Sequence, residues 1–200
     1  GFGRPGVPFG IDHFDVVPDI MATGKGLSSG YTPIAATVVS DRIYDAIYQN
    51  QTHYVHGHTY GGNPLSCAVA LAVQDYVAEH DLIDNCRRMG DLMLDKLQPL
   101  LDNPMVGAVR GKGLLTGVEF VADKDSREPF PADRGVTAVV VDRVFDRGVL
   151  IMPGAPGLVD GVAGDHIAIS PPFTVSEEQV ETTVQAITEA VEETAAELVG

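Results

Sequence analysis

A primary amine set between two glycines is the position in this sequence best placed to do covalent chemistry. Lys25, one of four lysines in 200 residues, stands between Gly24 and Gly26, directly after the apolar run Ile20-Met21-Ala22. A second strand-like run, Ile34 to Val39, follows within a few residues. A lysine at a strand end is expected to be partly desolvated. Desolvation favours the neutral amine, the form that attacks a carbonyl. The flanking glycines allow a tight turn and let a bulky ligand approach the nitrogen. The same spacing also describes a solvent-exposed turn lysine, as most lysines are.

Three other patterns suggest chemistry and fail on inspection. Gly1 to Gly6 spells GxGxxG, but no strand precedes it in this sequence. Pro5 and Pro8 also forbid the helix that would receive a pyrophosphate. Thr23-Gly24-Lys25-Gly26 is no phosphate-binding P-loop, because Gly26 stands where Ser or Thr is needed and Asp19 where the first glycine belongs. His53, His56 and His58 crowd the loop from Gln49 to Gly62 without a carboxylate or cysteine to complete a tetrahedral set, so no metal is expected. In the same loop the hydroxyl of Thr59 and nearby backbone N–H groups precede a helix start. That place suits a phosphate physically, but on the residues alone an ordinary loop threonine is the preferred reading.

The elements that must position these residues follow from periodicity. Asp41 is expected to cap a helix through Asp45 to Tyr48. Pro64 opens a helix running to Glu79, as proline does in a first turn. Its beginning, with Ala68, Val69, Ala70, Leu71, Ala72 and Val73, is apolar all round and predicts burial rather than a surface stripe. Asp81 is expected to cap a second helix, with Leu82, Cys86, Met89, Met93, Leu97 and Leu100 on one face. Asn103-Pro104 breaks it. Strands are predicted at 105–110, 114–121, 149–152 and 166–170, and a helix at 136–146 that Gly148 ends. The glycine-rich segment between Met152 and His166 reads as a flexible loop near a ligand. Ser176-Glu177-Glu178-Gln179 is a capping box that starts the last helix, whose apolar face holds Val180, Val184, Ile187, Val191 and Leu198.

Composition bounds the partners. Twenty-eight acidic against thirteen basic residues give a net charge of −15, which argues against nucleic acid and anionic membrane surfaces. Lysine-poor acidity of this kind also suits a high-salt cytoplasm. Hydrophobic content of 44% is ordinary for a chain that buries a core. Cys67 and Cys86, in apolar helical stretches, read as buried free thiols of a reducing, cytoplasmic setting. No apolar run reaches transmembrane length, and no basic-then-apolar start suggests a signal peptide.

Five blocks stand in order along the chain: GFGRPG from Gly1, PDIMATGKGLSSGYTPIAATVVS from Pro18, HGHTYGGNPLSCAVALA from His56, VRGKGLLTGVEFV from Val109 and GDHIAISPPFTVSEEQV from Gly164. Together they resemble the class III (ω-type) aminotransferases, which depend on pyridoxal phosphate. The resemblance implies an α/β chain of the fold type I transferases. Residues 1–101 would be the C-terminal part of the large, cofactor-binding domain, and 102–200 an α+β small domain. It implies that Lys25 is the catalytic Schiff-base lysine, which holds the cofactor and then moves the substrate proton. Thr59, through hydroxyl and N–H, and His58, through its N–H, would bind the phosphate of the neighbouring subunit's cofactor, giving a homodimer with shared active sites. The substrates implied are an ω-amino acid or primary amine and a keto acid such as pyruvate. A same-fold aminomutase, racemase or decarboxylase is the alternative, as is an inactive C-terminal fragment.

Two departures from the family pattern shape these expectations. The resembled enzymes are about twice as long, and their N-terminal half carries a phosphate loop, a ring-stacking aromatic and an aspartate for the pyridine nitrogen. The chain is therefore expected to work with that N-terminal half, to have an incomplete core, and to be inactive alone. Many members also carry an acceptor-anchoring arginine before the SPP block. Here Met152 to His166 holds neither Arg nor Lys, with Gly161 or a neighbour in that place. Arg110 reads as a structural strand-end arginine.

Overall fold

In the computed structural model, which describes residues 1–49, 54–155 and 157–198, the chain divides into two compact units, Gly1–Ile83 and Asp84–Gly200.

The first unit opens in turns. Gly3 and Gly6 take left-handed φ of 71° and 79°, and the Gly3 N–H donates to the Pro8 carbonyl at 3.0 Å. A 3-10 turn, Gly10–Phe14, stands where a dinucleotide site would need a full helix. Strand β1 (Ile20–Thr23) pairs antiparallel with β2 (Ala36–Val39), setting Ile20 opposite Val39 and Thr23 opposite Ala36. Helix α1 spans Asp41–Gln49. The carbonyl that accepts its first N–H groups, from Ile43 and Tyr44, belongs to Ser40, so Asp41 is the first helical residue and not the cap that was expected. Helix α2 spans Pro64–Glu79, starting at the proline as expected. Its cap is Asn63, whose Oδ1 accepts from the Ser66 N–H at 3.1 Å. Asp81 is left-handed, with φ 50°, and its N–H donates to Ala78, so its backbone closes α2.

Burial on α2 differs from the expectation. Its side chains at 66, 69, 70, 73, 74 and 77 are partly or fully covered, a spacing that marks one helical face. On the other side Leu65 is 72% exposed and Leu71 63%. Cys67, expected to be buried, is exposed there too. The elements of this unit cover only one side of the helix, whatever the hydropathy of the rest. Pro5 and Ala70 are the buried apolar side chains among the unit's described residues.

The second unit is α+β and has a full core. Helix α3 (Leu82–Leu97) leads into a 3-10 turn, Gln98–Asp102, then β3 (Val106–Lys112) and β4 (Leu115–Phe120). Helix α4 (Val136–Asp146), β5 (Met152–Pro153), β6 (Asp165–Ile169) and α5 (Glu177–Leu198) complete it. The sheet is antiparallel throughout, in the order β3-β4-β6-β5. Cys86, Met89, Met93 and Leu97 of α3 join Val118, Phe120, Ile167, Val140, Val144, Ile187 and Val191 in one cluster. The apolar face of α3 belongs to that cluster, so the helix packs with the second unit. The capping box forms as read. The Ser176 N–H donates to Gln179 Oε1 at 3.0 Å, and the Gln179 N–H to Ser176 Oγ at 3.3 Å. The segment expected to be a flexible loop holds a tight turn, with the Val159 N–H donating to Ala163 and left-handed residues at Gly157, Asp160, Gly161 and Gly164. Pro156 of that segment lies outside the described residues.

Candidate active site

Strand β1 ends at Thr23, Gly24 is extended, and Lys25 begins a single 3-10 turn, Lys25–Leu27. Two bonds close the turn: the Leu27 N–H donates to Gly24 at 3.1 Å and the Ser28 N–H to Lys25 at 3.3 Å. Lys25 itself has φ 47°, the left-handed conformation that a side-chain-bearing residue adopts only at a cost of about 1 kcal/mol or more. Its side chain is exposed, which corrects the expectation of partial desolvation: by residue 25 the chain has left the strand, and glycines stand on either side. Among the described residues no carboxylate pairs with the Lys25 ammonium.

The turn is fixed from three directions. Gln74 on α2 donates through Nε2 to two successive carbonyls, Gly26 at 3.2 Å and Leu27 at 3.0 Å. Ser28, 2% exposed, donates its hydroxyl to the Thr32 carbonyl at 2.6 Å. The Thr32 hydroxyl in turn lies 2.9 Å from that of Ser66 on α2. From the glycine-rich opening, Phe2 stands against Gly26, where an added Cβ would come within 2.7 Å of the Phe2 Cβ. Upstream, β1 is tied to α1: Asp19 accepts from Arg42 at 3.0 Å and from Ser40 Oγ at 3.1 Å. The hydrogen bond from the Arg42 guanidinium, and then that from the Ser40 hydroxyl, hold the Asp19 carboxyl below the ordinary range.

The other expected residues sit on the approach to α2. Tyr54, His56 and His58 form an edge-on ring ladder, with centroids 5.8 and 4.8 Å apart. The His58 carbonyl accepts from the Gly61 N–H at 2.9 Å, making a turn with Thr59 exposed inside it. The chain then enters α2 at Asn63. His53 lies outside the described residues. Thus α2 mounts both candidate groups, the Thr59 turn at its N-terminus and the Lys25 turn along its covered face. No hydrogen bond joins Lys25 to His58 or Thr59 among the described residues. An apolar hollow of about 310 Å³, lined by residues such as Phe9, Val16, Met21 and Val38, lies elsewhere in this unit and does not include Lys25.

Sequence reading missed Phe2, Ser66 and Gln74. A signal existed: Ser66, Ala70 and Gln74 recur every four residues, a small and polar stripe in an otherwise apolar helix. In the second unit Arg110 pairs with Glu119 of the adjacent strand at 3.0 Å, in keeping with its structural reading.

Known proteins match this chain along nearly its whole length. A family model described as aminotransferase class III matches residues 1–191. The uncharacterized aminotransferase YodT of Bacillus subtilis is 41% identical over 192 residues, covering 96% of this chain and 43% of that protein. A transaminase structure from the marine bacterium Virgibacillus superposes with a TM-score of 0.90 at 34% identity, covering 99% of this chain and 44% of the other. An amine transaminase from an uncultivated Pseudomonas species, solved with its pyridoxal phosphate bound, gives 0.87 at 37% identity, covering 97% and 43%. The chain spans about two fifths of the length of the proteins it matches.

Proposed function

The chain belongs to the class III aminotransferases, fold type I proteins that use pyridoxal phosphate, and from that premise we propose that Lys25 is the residue that holds the cofactor. The observation that carries this reading is an exposed primary amine in a strained, externally braced turn, since such strain clusters at functional sites. The residues present suit the cofactor. An amine unpaired with any described carboxylate, between two glycines, is open to an aldehyde. The Thr59 hydroxyl and the N–H groups of His58 and Thr59 suit a phosphate dianion.

The bound cofactor supplies a ring that withdraws electrons from the substrate carbon. This chain supplies attachment and proton transfer. Lys25 Nζ would hold the cofactor through its aldehyde group and, as a free amine, would accept and return the substrate proton. Thr59 and His58 would hold the phosphate of the partner subunit's cofactor. In the whole protein these steps exchange an amino group between an ω-amino acid or primary amine and a keto acid such as pyruvate. The working form is a cytoplasmic homodimer containing an N-terminal half, with 1–101 in its large domain and 102–200 in its small domain. The exposed apolar side of α2 supports the need for that additional cover.

Borohydride reduction of the whole enzyme loaded with pyridoxal phosphate, followed by peptide mass mapping, tests the assignment. The label is expected on Lys25, and Lys25→Ala should lose both the visible cofactor band and turnover. A label on another lysine, or normal turnover in Lys25→Ala, overturns it.

A further inference from the structure

We infer that Gln74, with Ser66 as its second point of attachment, is a positioning residue for Lys25. The inference rests on the reading of Lys25 as the cofactor-holding amine and adds to it what keeps that amine aimed.

The left-handed backbone at Lys25 needs something to maintain it, because isolated turns relax toward cheaper conformations. The turn's own two hydrogen bonds fix its closure and not its placement. Placement comes from outside. A single carboxamide on α2 has two N–H bonds and gives them to the two carbonyls that follow Lys25, those of Gly26 and Leu27. Those bonds fix two consecutive peptide planes. Rotating Lys25 out of its φ of 47° would move the Gly26 carbonyl from its place against Gln74, and Phe2 packs so closely on Gly26 that a Cβ there would not fit. Eight residues earlier on the same helix face, Ser66 reaches Thr32, whose carbonyl holds the buried Ser28 hydroxyl. Ala70 lies between them, 5% exposed, and its small side chain lets the turn approach the helix. The turn is therefore bound to α2 at both ends, and the direction of the Lys25 Cα–Cβ bond follows from that attachment.

Gln74 touches neither cofactor nor substrate in this account, so its test needs a readout that packing alone would not move. The whole enzyme, loaded with pyridoxal phosphate, is compared as wild type, Gln74→Leu and Ser66→Ala. Gln74→Leu keeps most of the bulk and removes both donors; Ser66→Ala removes one hydroxyl. Gln74→Leu is expected to lower kcat about 10- to 100-fold, with KM for the amine changed less than about threefold. The pH midpoint of the visible cofactor band should shift in Gln74→Leu, and in the same direction by less in Ser66→Ala. In the cofactor-free proteins, amide hydrogen exchange at Leu27 and Ser28 should rise in both variants. A wild-type midpoint, wild-type kcat and unchanged exchange in both variants overturn the inference. If Gln74→Leu does not fold, Ser66→Ala decides it by the same midpoint and exchange readouts. Absence of a reducible cofactor bond at Lys25 in the wild type would instead overturn the functional reading.

Discussion

Thr116 buries a hydroxyl that finds no hydrogen-bond partner among the described residues. It sits at 2% exposure on the covered face of β4, in line with Val118 and Phe120. A buried hydroxyl without a partner carries its full desolvation penalty, whereas a methyl of the same size does not. Thr116→Val is therefore expected to stabilise the second unit by about 1 kcal/mol, read as a raised denaturant midpoint at unchanged m-value. A fall in the midpoint would show that the hydroxyl is satisfied. At this scale the sequence was legible where a residue type is rare in its context. A lysine between two glycines stands out, and so do five blocks in family order. Gln74 was legible only as one member of a four-residue stripe with Ser66 and Ala70; a helical glutamine ordinarily faces water, and the fold alone shows two carbonyls waiting for it. Cys67 misled for the converse reason: apolar neighbours in sequence do not guarantee cover in space.

Among the elements, the last two helices carry the clearest electrostatic design. Arg147 on the C-cap of α4 meets Glu193 at 2.8 Å and Glu189 at 3.2 Å on α5, while Arg143 reaches Glu197 at 2.6 Å and donates to Thr194 Oγ1, also at 2.6 Å. The Arg147 hydrogen bond holds the Glu193 carboxyl below its usual range. For Glu189 the Gln185 amide comes first and Arg147 second. Glu193, and then Glu189, raise the Arg147 guanidinium. Carboxylates depressed in the folded state contribute stability that is complete above their unfolded pKa and lost as pH falls through the folded one. The melting temperature should thus fall below about pH 5, and less steeply in Arg147→Met than in the wild type. Equal slopes in a pH series of thermal melts would remove these pairs from the account. Helix limits and the capping box at Ser176 were readable because they are local. Gly90 was not. It lies inside α3, where glycine is a poor helix former, yet a Cβ there would collide with the Gly113 backbone between β3 and β4. That need arises from a contact 23 residues away along the chain.

For the molecule as a whole, the two units are unequally furnished. The second holds the buried cluster from Cys86 to Ala195, whereas the first buries Pro5 and Ala70 and leaves Leu65, Leu71, Tyr76 and Val38 exposed. Apolar burial is the dominant favourable term in folding, at roughly 25 cal/mol per Å². The 200-residue chain by itself is expected to protect amides in α3, β4, β6 and α5 from hydrogen exchange far more than those in β1, β2 and α2, and to show no amine–pyruvate turnover. Uniform protection, or measurable turnover, would contradict this. The greater length of the resembled enzymes raised the expectation of an incomplete core, and the coordinates show that burial is sparse among the described residues of the first unit. The close meeting of Phe2 with Gly26 has a practical corollary for anyone reshaping this protein. Randomising position 26 alone should return little but glycine, so a library aimed at the turn needs to vary 2, 26 and 74 together.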